Sequence, residues 1–275
     1  MSMDEVRSAF LQDVLSHAQR DPRLLGVAVG GSWLHSAMDE YSDLDLVLVV
    51  EPEHVEQITH ERLTLAESFG ALLAAFTGDH VGEPRLLICL YGPPLLHVDL
   101  KFVALPDLGY RVDDPVVLWE RDGRVTAVLT TTTALYPTPD LQWIEDRFWV
   151  WLHYGATKLG RGELFEVLDM LAYVRGRVLG PLLALRHGFM PNGTRRLEML
   201  APSEVPALEA TLGAHDRSAC ADALMHAANM YSALRDELAS PDLERRMNAE
   251  RASRAYLADI AAGNESHRSP TSAHD

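Results

Sequence analysis

The sequence predicts an α+β fold, in which an N-terminal mixed sheet flanked by helices is followed by a C-terminal all-helical domain. Two observations support this prediction. Short apolar runs of strand length alternate with helical periodicity up to about residue 135, whereas the pattern from residue 140 onward is helical throughout. The chain has 275 residues, of which 47% are hydrophobic, and this is enough for two modest cores.

The boundary between the two halves is predicted from residues 130–139, which are rich in threonine and proline and read as a linker. This places a first domain at residues 1–135 and a helical domain at residues 136–263. The last segment, 264–275, is polar and lacks periodicity, so we expect a disordered tail.

The elements of the first half follow from apolar spacing and from turn residues. Helical spacing of apolar residues defines the opening helix, and Asp122-Gly123 is typical of a hairpin turn. The predicted order is a helix over 3–20, a strand over 24–29, helical turns over 32–38, a strand over 42–50, a helix over 53–76, strands over 85–91 and 95–103, and a hairpin of 116–120 with 124–129.

The second half is predicted to contain helices only. Their approximate ranges are 140–159, 162–187, 195–200, 206–212 and 217–262, the last broken at Ser240-Pro241.

Charge and composition exclude several classes of protein. The formal net charge of −16 argues against general affinity for nucleic acid, and residues 1–135 hold 21 acidic and 9 basic residues. Such an acidic half can attract metal ions or a cationic small molecule, although solvated surface carboxylates are the plainer reading. The longest apolar runs are too short to span a membrane, so a cytoplasmic protein is expected. The two cysteines, Cys89 and Cys220, are expected to be buried thiols.

The first motif is Gly30-Gly31-Ser32, which lies between a predicted strand and predicted helical turns. Glycines there let the backbone approach a phosphate and leave N–H groups facing the anion, and Ser32 adds a hydroxyl donor. An ordinary strand-to-helix turn is the alternative for the glycines taken alone.

The second motif is Asp43-Leu44-Asp45, which follows Ser32 after a spacer of ten residues. Residues two apart on a strand share a face and lie about 6–7 Å apart, so both carboxylates can reach one metal cluster. Two acids held together would repel each other, and divalent cations offer a reason for their pairing.

Asp99 is the candidate for a third carboxylate, because two-metal phosphoryl transfer calls for one. Alternation places His97, Asp99 and Lys101 on one face of a predicted strand. A salt bridge between Asp99 and a neighbouring base in the sheet is the alternative explanation.

Together these residues resemble the DNA polymerase β-type nucleotidyltransferase superfamily, and within it the aminoglycoside and lincosamide nucleotidyltransferase-like enzymes. The matching residues are Val29-Gly30-Gly31-Ser32, Asp43-Leu44-Asp45 and Asp99, all within residues 26–103. The resemblance implies an NTP donor, here expected to be ATP, two Mg²⁺ ions on Asp43, Asp45 and Asp99, and a helical second domain that closes over the nucleotide.

The chain departs from that family in one respect. Many relatives carry Ala-Arg-Gly soon after the Gly-Ser, whereas this chain has Trp33-Leu34-His35-Ser36, so the role of the missing base falls to His35 or to a residue elsewhere. Relatives often hold the triphosphate with a lysine of the second domain. Lys158 is the candidate, Arg161 is a second possible base, and a solvated base at a helix end is the alternative explanation.

The resulting hypothesis is transfer of a nucleoside monophosphate from a metal-bound NTP to a hydroxyl of a small acceptor. Gly30, Gly31, Ser32 and Lys158 would bind the nucleotide, and the three aspartates would be catalytic. The second hypothesis is a catalytically silent nucleotide-binding or antitoxin-like regulatory protein of the same fold. The acceptor and the oligomeric state are not predicted.

Overall fold

The structure, a computed structural model, describes residues 2–35 and 38–263. The chain divides into two compact units, Met1–Tyr136 and Pro137–Asp275. The predicted disordered tail, 264–275, lies outside the described residues.

The first unit combines helices with one mixed sheet. Its elements are α1 (Met3–Arg20), β1 (Leu24–Val29), β2 (Leu44–Val50), α2 (Val55–Ser68), β3 (Leu72–Gly78), β4 (Glu83–Tyr91), β5 (Leu96–Ala104), β6 (Val116–Glu120) and α3 (Arg124–Thr131). A short 3₁₀ helix, Gly31–His35, follows β1.

Within the described residues the strands form a six-stranded sheet in the order β3-β4-β5-β2-β1-β6. β2 and β5 pair in parallel, and the other neighbours pair antiparallel. The parallel pair lies at the centre of the sheet. The predicted α+β class with a mixed sheet is therefore confirmed.

One face of the sheet packs against α1 and α2 in the main core of the unit. α1 begins with a capping box, in which Ser2 accepts from the backbone N–H of Glu5 and the Glu5 side chain accepts from the N–H of Ser2. Alternate residues of β2, among them Leu44, Leu46 and Leu48, enter this core. Asp45 therefore lies on the opposite face of the sheet. A smaller core that includes Val49 and Val125 covers the far end of that second face beneath α3.

The structure corrects two predicted elements of this unit. The helix predicted over 53–76 ends at Ser68, and residues 72–78 form strand β3. Residues 124–131 form a helix instead of the second strand of a hairpin. Asp122 and Gly123 do adopt the left-handed turn conformation that suggested a hairpin, with φ of 56° and 68°. That turn leads into α3 because Glu120 accepts hydrogen bonds from the backbone N–H and hydroxyl of Thr126, in the first turn of the helix.

The second unit is helical throughout its described part, as predicted. Its helices are α4 (Leu141–Arg161), α5 (Leu164–Val174), α6 (Gly180–Arg186), α7 (Leu197–Leu200), α8 (Val205–Glu209), α9 (Arg217–Leu238) and α10 (Met247–Ala261), with a π-helical turn, Arg175–Leu179, between α5 and α6.

A buried carboxylate joins three helices of this unit. Glu145 on α4 is completely buried and accepts hydrogen bonds from Trp149 Nε1 at 3.2 Å, Tyr231 Oη at 2.6 Å and the Arg246 backbone N–H at 2.8 Å. Arg235 Nη1 lies 3.3 Å from the same carboxylate. The donors belong to α4, to α9 and to the residue that precedes α10, so one side chain fixes the packing of these helices.

Each unit contains one buried cysteine, as expected for thiols that take part in packing. Burial raises the pKa of Cys89 to about 11 and raises the pKa of Cys220 above its ordinary value. No helix in the part of the chain that the structure describes is long and apolar enough to cross a membrane.

Candidate functional site

A tight turn at the end of β1 places a glycine against a carboxylate. Gly31 has φ of +60°, and its Cα faces Asp45 so closely that a Cβ built there would lie 1.8 Å from Asp45 Oδ2. The backbone N–H of Gly30 donates to the carbonyl oxygen of Asp45 at 2.9 Å. Glycine is therefore required at position 31 both by backbone conformation and by the space that Asp45 occupies.

The parallel pairing of β2 with β5 brings two of the predicted acids together. Asp45 and Asp99 are direct register partners although they lie 54 positions apart in the sequence. Neighbouring strands lie about 4.8 Å apart, and register partners share a face, so both side chains leave the same face of the sheet. Asp43 precedes the first residue of β2, two positions from Asp45.

Asp99 is held in an unfavourable environment for a carboxylate. Its Oδ1 atom is buried and accepts no hydrogen bond from the described residues. His97 Nε2 lies 3.2 Å from this oxygen, close enough for an ion pair when the imidazole is protonated. Burial raises the pKa of Asp99, the charge of His97 opposes this effect, and the negative charge of Asp43 adds to it. The net shift is upward, so burial and Asp43 together outweigh His97.

The neighbouring base on β5 has a different partner. Lys101 Nζ lies 2.8 Å from Glu83 Oε2 on β4, and Arg85 also pairs with Glu83. Together these two bases lower the pKa of Glu83 to about 2. Of the salt-bridge partners considered for Asp99, His97 is therefore the residue that the structure places beside it.

The chemistry of the acid cluster suits a hard divalent cation. Carboxylate oxygens are preferred ligands of Mg²⁺, and a buried oxygen without a hydrogen bond is a group that a cation would satisfy. In residues 2–35 and 38–263, however, no group of three or more His, Cys, Asp or Glu side chains is already arranged around one point as a metal site. The residues present therefore fit a cation by their carboxylate chemistry and by the register pairing of Asp45 with Asp99. Rotation of these side chains would be needed to bring their oxygens around one ion.

Two predicted nucleotide-binding side chains have partners of their own. The Ser32 hydroxyl donates to Met38 Sδ at 2.9 Å. Lys158, in the second unit, lies 2.6 Å from Glu163 Oε2 and 3.8 Å from Glu166 Oε2, and the contact with Glu163 raises its pKa. The positive charge of Lys158 is thus balanced by nearby glutamates. Its binding to a phosphate stays a prediction.

A buried arginine that sequence reasoning missed lies behind the acid motif. Arg7 on α1 is 2% exposed and donates to backbone carbonyls of the turn 39–42, which immediately precedes Asp43. A sequence signal existed, because Arg7 falls within the buried stripe of α1 that includes Phe10 and Val14. An arginine inside an apolar stripe indicates a specific buried acceptor.

Comparisons with known proteins return no matching family model and no similar curated protein. Among solved structures, the chain is similar to an aminoglycoside 6-adenyltransferase from Bacillus subtilis, with 18% identity over 90% of this chain and 96% of that chain and a TM-score of 0.40. It is also similar to a nucleotidyltransferase-like protein from Exiguobacterium sibiricum, with 15% identity over 94% of this chain and 87% of that chain and a TM-score of 0.38. At these TM-scores neither likeness assigns an activity or a site residue to this chain.

Proposed function

We propose that this chain is a nucleotidyltransferase that moves a nucleoside monophosphate from an NTP to a hydroxyl group of a small acceptor. The observation that carries the proposal is the pairing of Asp45 with Asp99 across β2 and β5, directly beside the Gly31 turn. A purely structural sheet has no need for two register-paired carboxylates, one of them with a buried oxygen that lacks a hydrogen bond.

In the proposed reaction the acceptor oxygen forms a bond to the α-phosphorus, and the bond between the α-phosphorus and the bridging oxygen to the β-phosphate breaks. Pyrophosphate leaves with the electron pair of that bond. Asp99, the register partner of Asp45, takes the proton of the acceptor hydroxyl. The backbone of Gly31 and the hydroxyl of Ser32 hold the β- and γ-phosphates, whereas the backbone N–H of Gly30 is bonded to the carbonyl of Asp45.

Asp43, Asp45 and Asp99 would hold the Mg²⁺ ions, which supply polarisation of the phosphate oxygens and activation of the acceptor oxygen. Two ions are proposed, of which one would activate the acceptor oxygen and the other would bind the triphosphate. ATP is the proposed donor. Lys158 is proposed to bind the triphosphate after exchanging Glu163 for a phosphate oxygen.

The acceptor is proposed to be a small molecule. The net charge of −16 opposes binding to nucleic acid, and the net charge of −12 over residues 1–135 favours a cationic acceptor over an anionic one.

The test is an assay of the purified chain with each labelled NTP, Mg²⁺ and a panel of small hydroxyl-bearing acceptors. We expect pyrophosphate release that depends on both the metal and an acceptor, and that is lost in Asp45→Asn. Glu53→Gln is the matched control, because it also removes one negative charge from the first unit but lies at an exposed position beyond the far end of β2. Equal activity in wild type and Asp45→Asn would refute the proposed site.

The silent nucleotide-binding protein is the other outcome of the same experiment. Calorimetry that detects NTP binding in the presence of Mg²⁺, together with no pyrophosphate release across the acceptor panel, would support it over the enzyme.

A further inference from the structure

We propose that Arg7 is a positioning residue of the acid site, and that it acts by fixing the turn from which Asp43 enters the site. This inference rests on the proposed function, since it assigns Arg7 a role toward the cation that Asp43, Asp45 and Asp99 would bind. The role is indirect, because Arg7 contacts the backbone that precedes Asp43.

The guanidinium of Arg7 bonds to both ends of the turn. Nη2 donates to the carbonyl of Asp39 at 2.7 Å and to the carbonyl of Ser42 at 2.6 Å, and Nε donates to the carbonyl of Ser42 at 3.2 Å. Arg7 Nη1 also pairs with Asp4 at 3.1 Å, one turn earlier on α1. A planar guanidinium can hold two carbonyls at a fixed separation, which the single ammonium of a lysine does less well.

The turn is closed on its outer side as well. The Ser42 backbone N–H donates to the carbonyl of Asp39 at 3.3 Å. The Ser42 hydroxyl accepts from the backbone N–H of Asp39 and donates to Asp39 Oδ1, both at 2.9 Å. These bonds fix the shape of the turn, and the bonds from Arg7 fix where the turn lies relative to α1.

The position of the turn matters because Asp43 has no strand partner of its own. β2 begins at Leu44, so the sheet fixes Asp45 through the ladder to β5 but does not include Asp43. The residue directly before Asp43 is Ser42, whose carbonyl receives two of the three bonds that Arg7 makes to the turn. Arg7 therefore supplies for Asp43 the backbone restraint that β-sheet pairing supplies for Asp45.

The chain offers a matched control in Arg121. Its guanidinium likewise donates to several backbone carbonyls, including those of Leu24 at 3.0 Å and Gln19 at 2.8 Å. Those carbonyls lie at the opposite end of β1 from the glycine turn, about 20 Å away for a strand of this length. Arg7 and Arg121 thus do similar structural work in one unit, and Arg7 alone does it next to the acid motif.

The experiment measures Mg²⁺ or Mn²⁺ binding by calorimetry on the full-length protein, together with its thermal midpoint. We expect Arg7→Met to weaken metal binding about 10-fold or more, the scale found when a residue that orients a metal ligand is removed. Arg7→Lys should lie between Arg7→Met and the wild type. Arg121→Met should lower the thermal midpoint and leave the metal affinity within about twofold of wild type.

Ser42→Ala guards against a failure of Arg7→Met to fold. It opens the turn from the outer side without changing charge, and we expect metal binding to weaken in the same direction. Wild-type metal affinity in Ser42→Ala and in a folded Arg7→Met would overturn the proposed role of Arg7, as would equal losses in Arg7→Met and Arg121→Met. If the wild-type protein binds no divalent cation, the proposed function fails instead.

Discussion

At the scale of single residues, Gly31 is the point at which backbone conformation and carboxylate position depend on each other. Its φ of +60° disfavours any residue with a Cβ, and that Cβ would also collide with the Asp45 carboxylate. The two effects can be separated, because Gly123 has a similar φ of +68° with no atom within 4 Å of the position of a Cβ.

We therefore predict that Gly123→Ala lowers the free energy of unfolding by about 1 kcal/mol, the cost of a left-handed residue with a side chain, and that Gly31→Ala lowers it by at least as much because its Cβ also meets Asp45. Gly31→Ala should in addition push the Asp45 carboxylate aside and weaken binding of Mg²⁺ and NTP. Denaturant unfolding and calorimetry on both variants test this. Equal ligand affinity in the two variants would show that the Asp45 carboxylate does not contribute to binding.

Asp99 gives a prediction about pH in the absence of metal. Because its pKa is raised in the folded protein, protonation of Asp99 stabilises the fold at low pH, and this contribution is lost as the pH rises through the folded pKa. At pH 7.5 a neutral asparagine should relieve the buried charge, so Asp99→Asn should have a higher thermal midpoint than wild type. The difference should shrink as the pH falls toward about 3.9, the ordinary aspartate pKa.

The same measurement tells whether Asp99 is a functional carboxylate or a structural partner of His97. If Asp99 were a structural partner of His97, which lies 3.2 Å from it, the Asn variant would lose that ion pair and melt below wild type at pH values where the imidazole is charged. A lower midpoint with unchanged turnover would make Asp99 a structural residue.

The two-residue period of a strand predicted that Asp45 and Asp99 leave one face of their strands. It also placed Asp43 on the strand with Asp45, whereas β2 begins at Leu44 and Asp43 lies just before it. It could not predict that Asp45 and Asp99 are register partners, since register depends on how two distant strands align. Sequence reasoning also missed Arg7, although the place of Arg7 in the buried stripe of α1 was a signal, because the acceptors of its guanidinium are backbone carbonyls that no residue type identifies.

At the scale of elements, the structure differs from the predicted helices and strands where contacts with distant residues outweigh the local sequence pattern. Leu72 and Leu73 continue the apolar spacing of α2, and this predicted a longer helix. Residues 72–78 instead pair with β4 at the edge of the sheet. Hydrogen bonds to another strand decided the outcome, and these are not encoded in the spacing of the segment itself.

In the helical unit, the hydrogen bonds to Glu145 should contribute strongly to the packing of α4 against its neighbours. Glu145→Ala would leave the buried donors of Tyr231 and Trp149 unpaired and remove one partner of Arg235, so we expect a loss of about 3–5 kcal/mol in the free energy of unfolding. Asp146→Ala is the control. Asp146 is the next residue on α4, and it makes an exposed ion pair with Arg246 that solvent screens, so its loss should be much the smaller of the two. Urea unfolding of both variants tests the contrast, and similar losses would contradict it.

At the scale of the whole molecule, the segment that connects the two units is partly bound to the first unit and partly exposed. Arg111 donates to the carbonyls of Leu129 and Thr132, and the backbone N–H of Leu135 donates to the carbonyl of Arg111. The first part of the predicted linker is thereby tied to the first unit. Leu135 itself is 79% exposed, and α4 does not begin until Leu141.

Limited proteolysis should therefore cut between Leu135 and Asp140. Chymotrypsin is a suitable protease because it can cut after Leu135, whereas Pro137 blocks cleavage after Tyr136. Independent domains would yield two fragments that resist further digestion, and nucleotide with Mg²⁺ should slow the cut if the domains close around the ligand. Early cuts inside either unit would contradict the domain boundary that we propose.

Because each unit contains one buried thiol, the rate at which each cysteine is alkylated reports how often its unit opens locally. A thiol reacts with an alkylating reagent as the thiolate, and a pKa of about 11 leaves Cys89 almost entirely protonated at pH 8 while the fold is closed. Modification of Cys89 therefore follows transient opening of the sheet unit, and modification of Cys220 follows opening of the helical unit. Mass spectrometry of the two peptides after timed alkylation should give two separate rates. Mg²⁺ and NTP that bind at the Gly31 turn should slow Cys89 more than Cys220, whereas one shared rate would mean that the two halves open together.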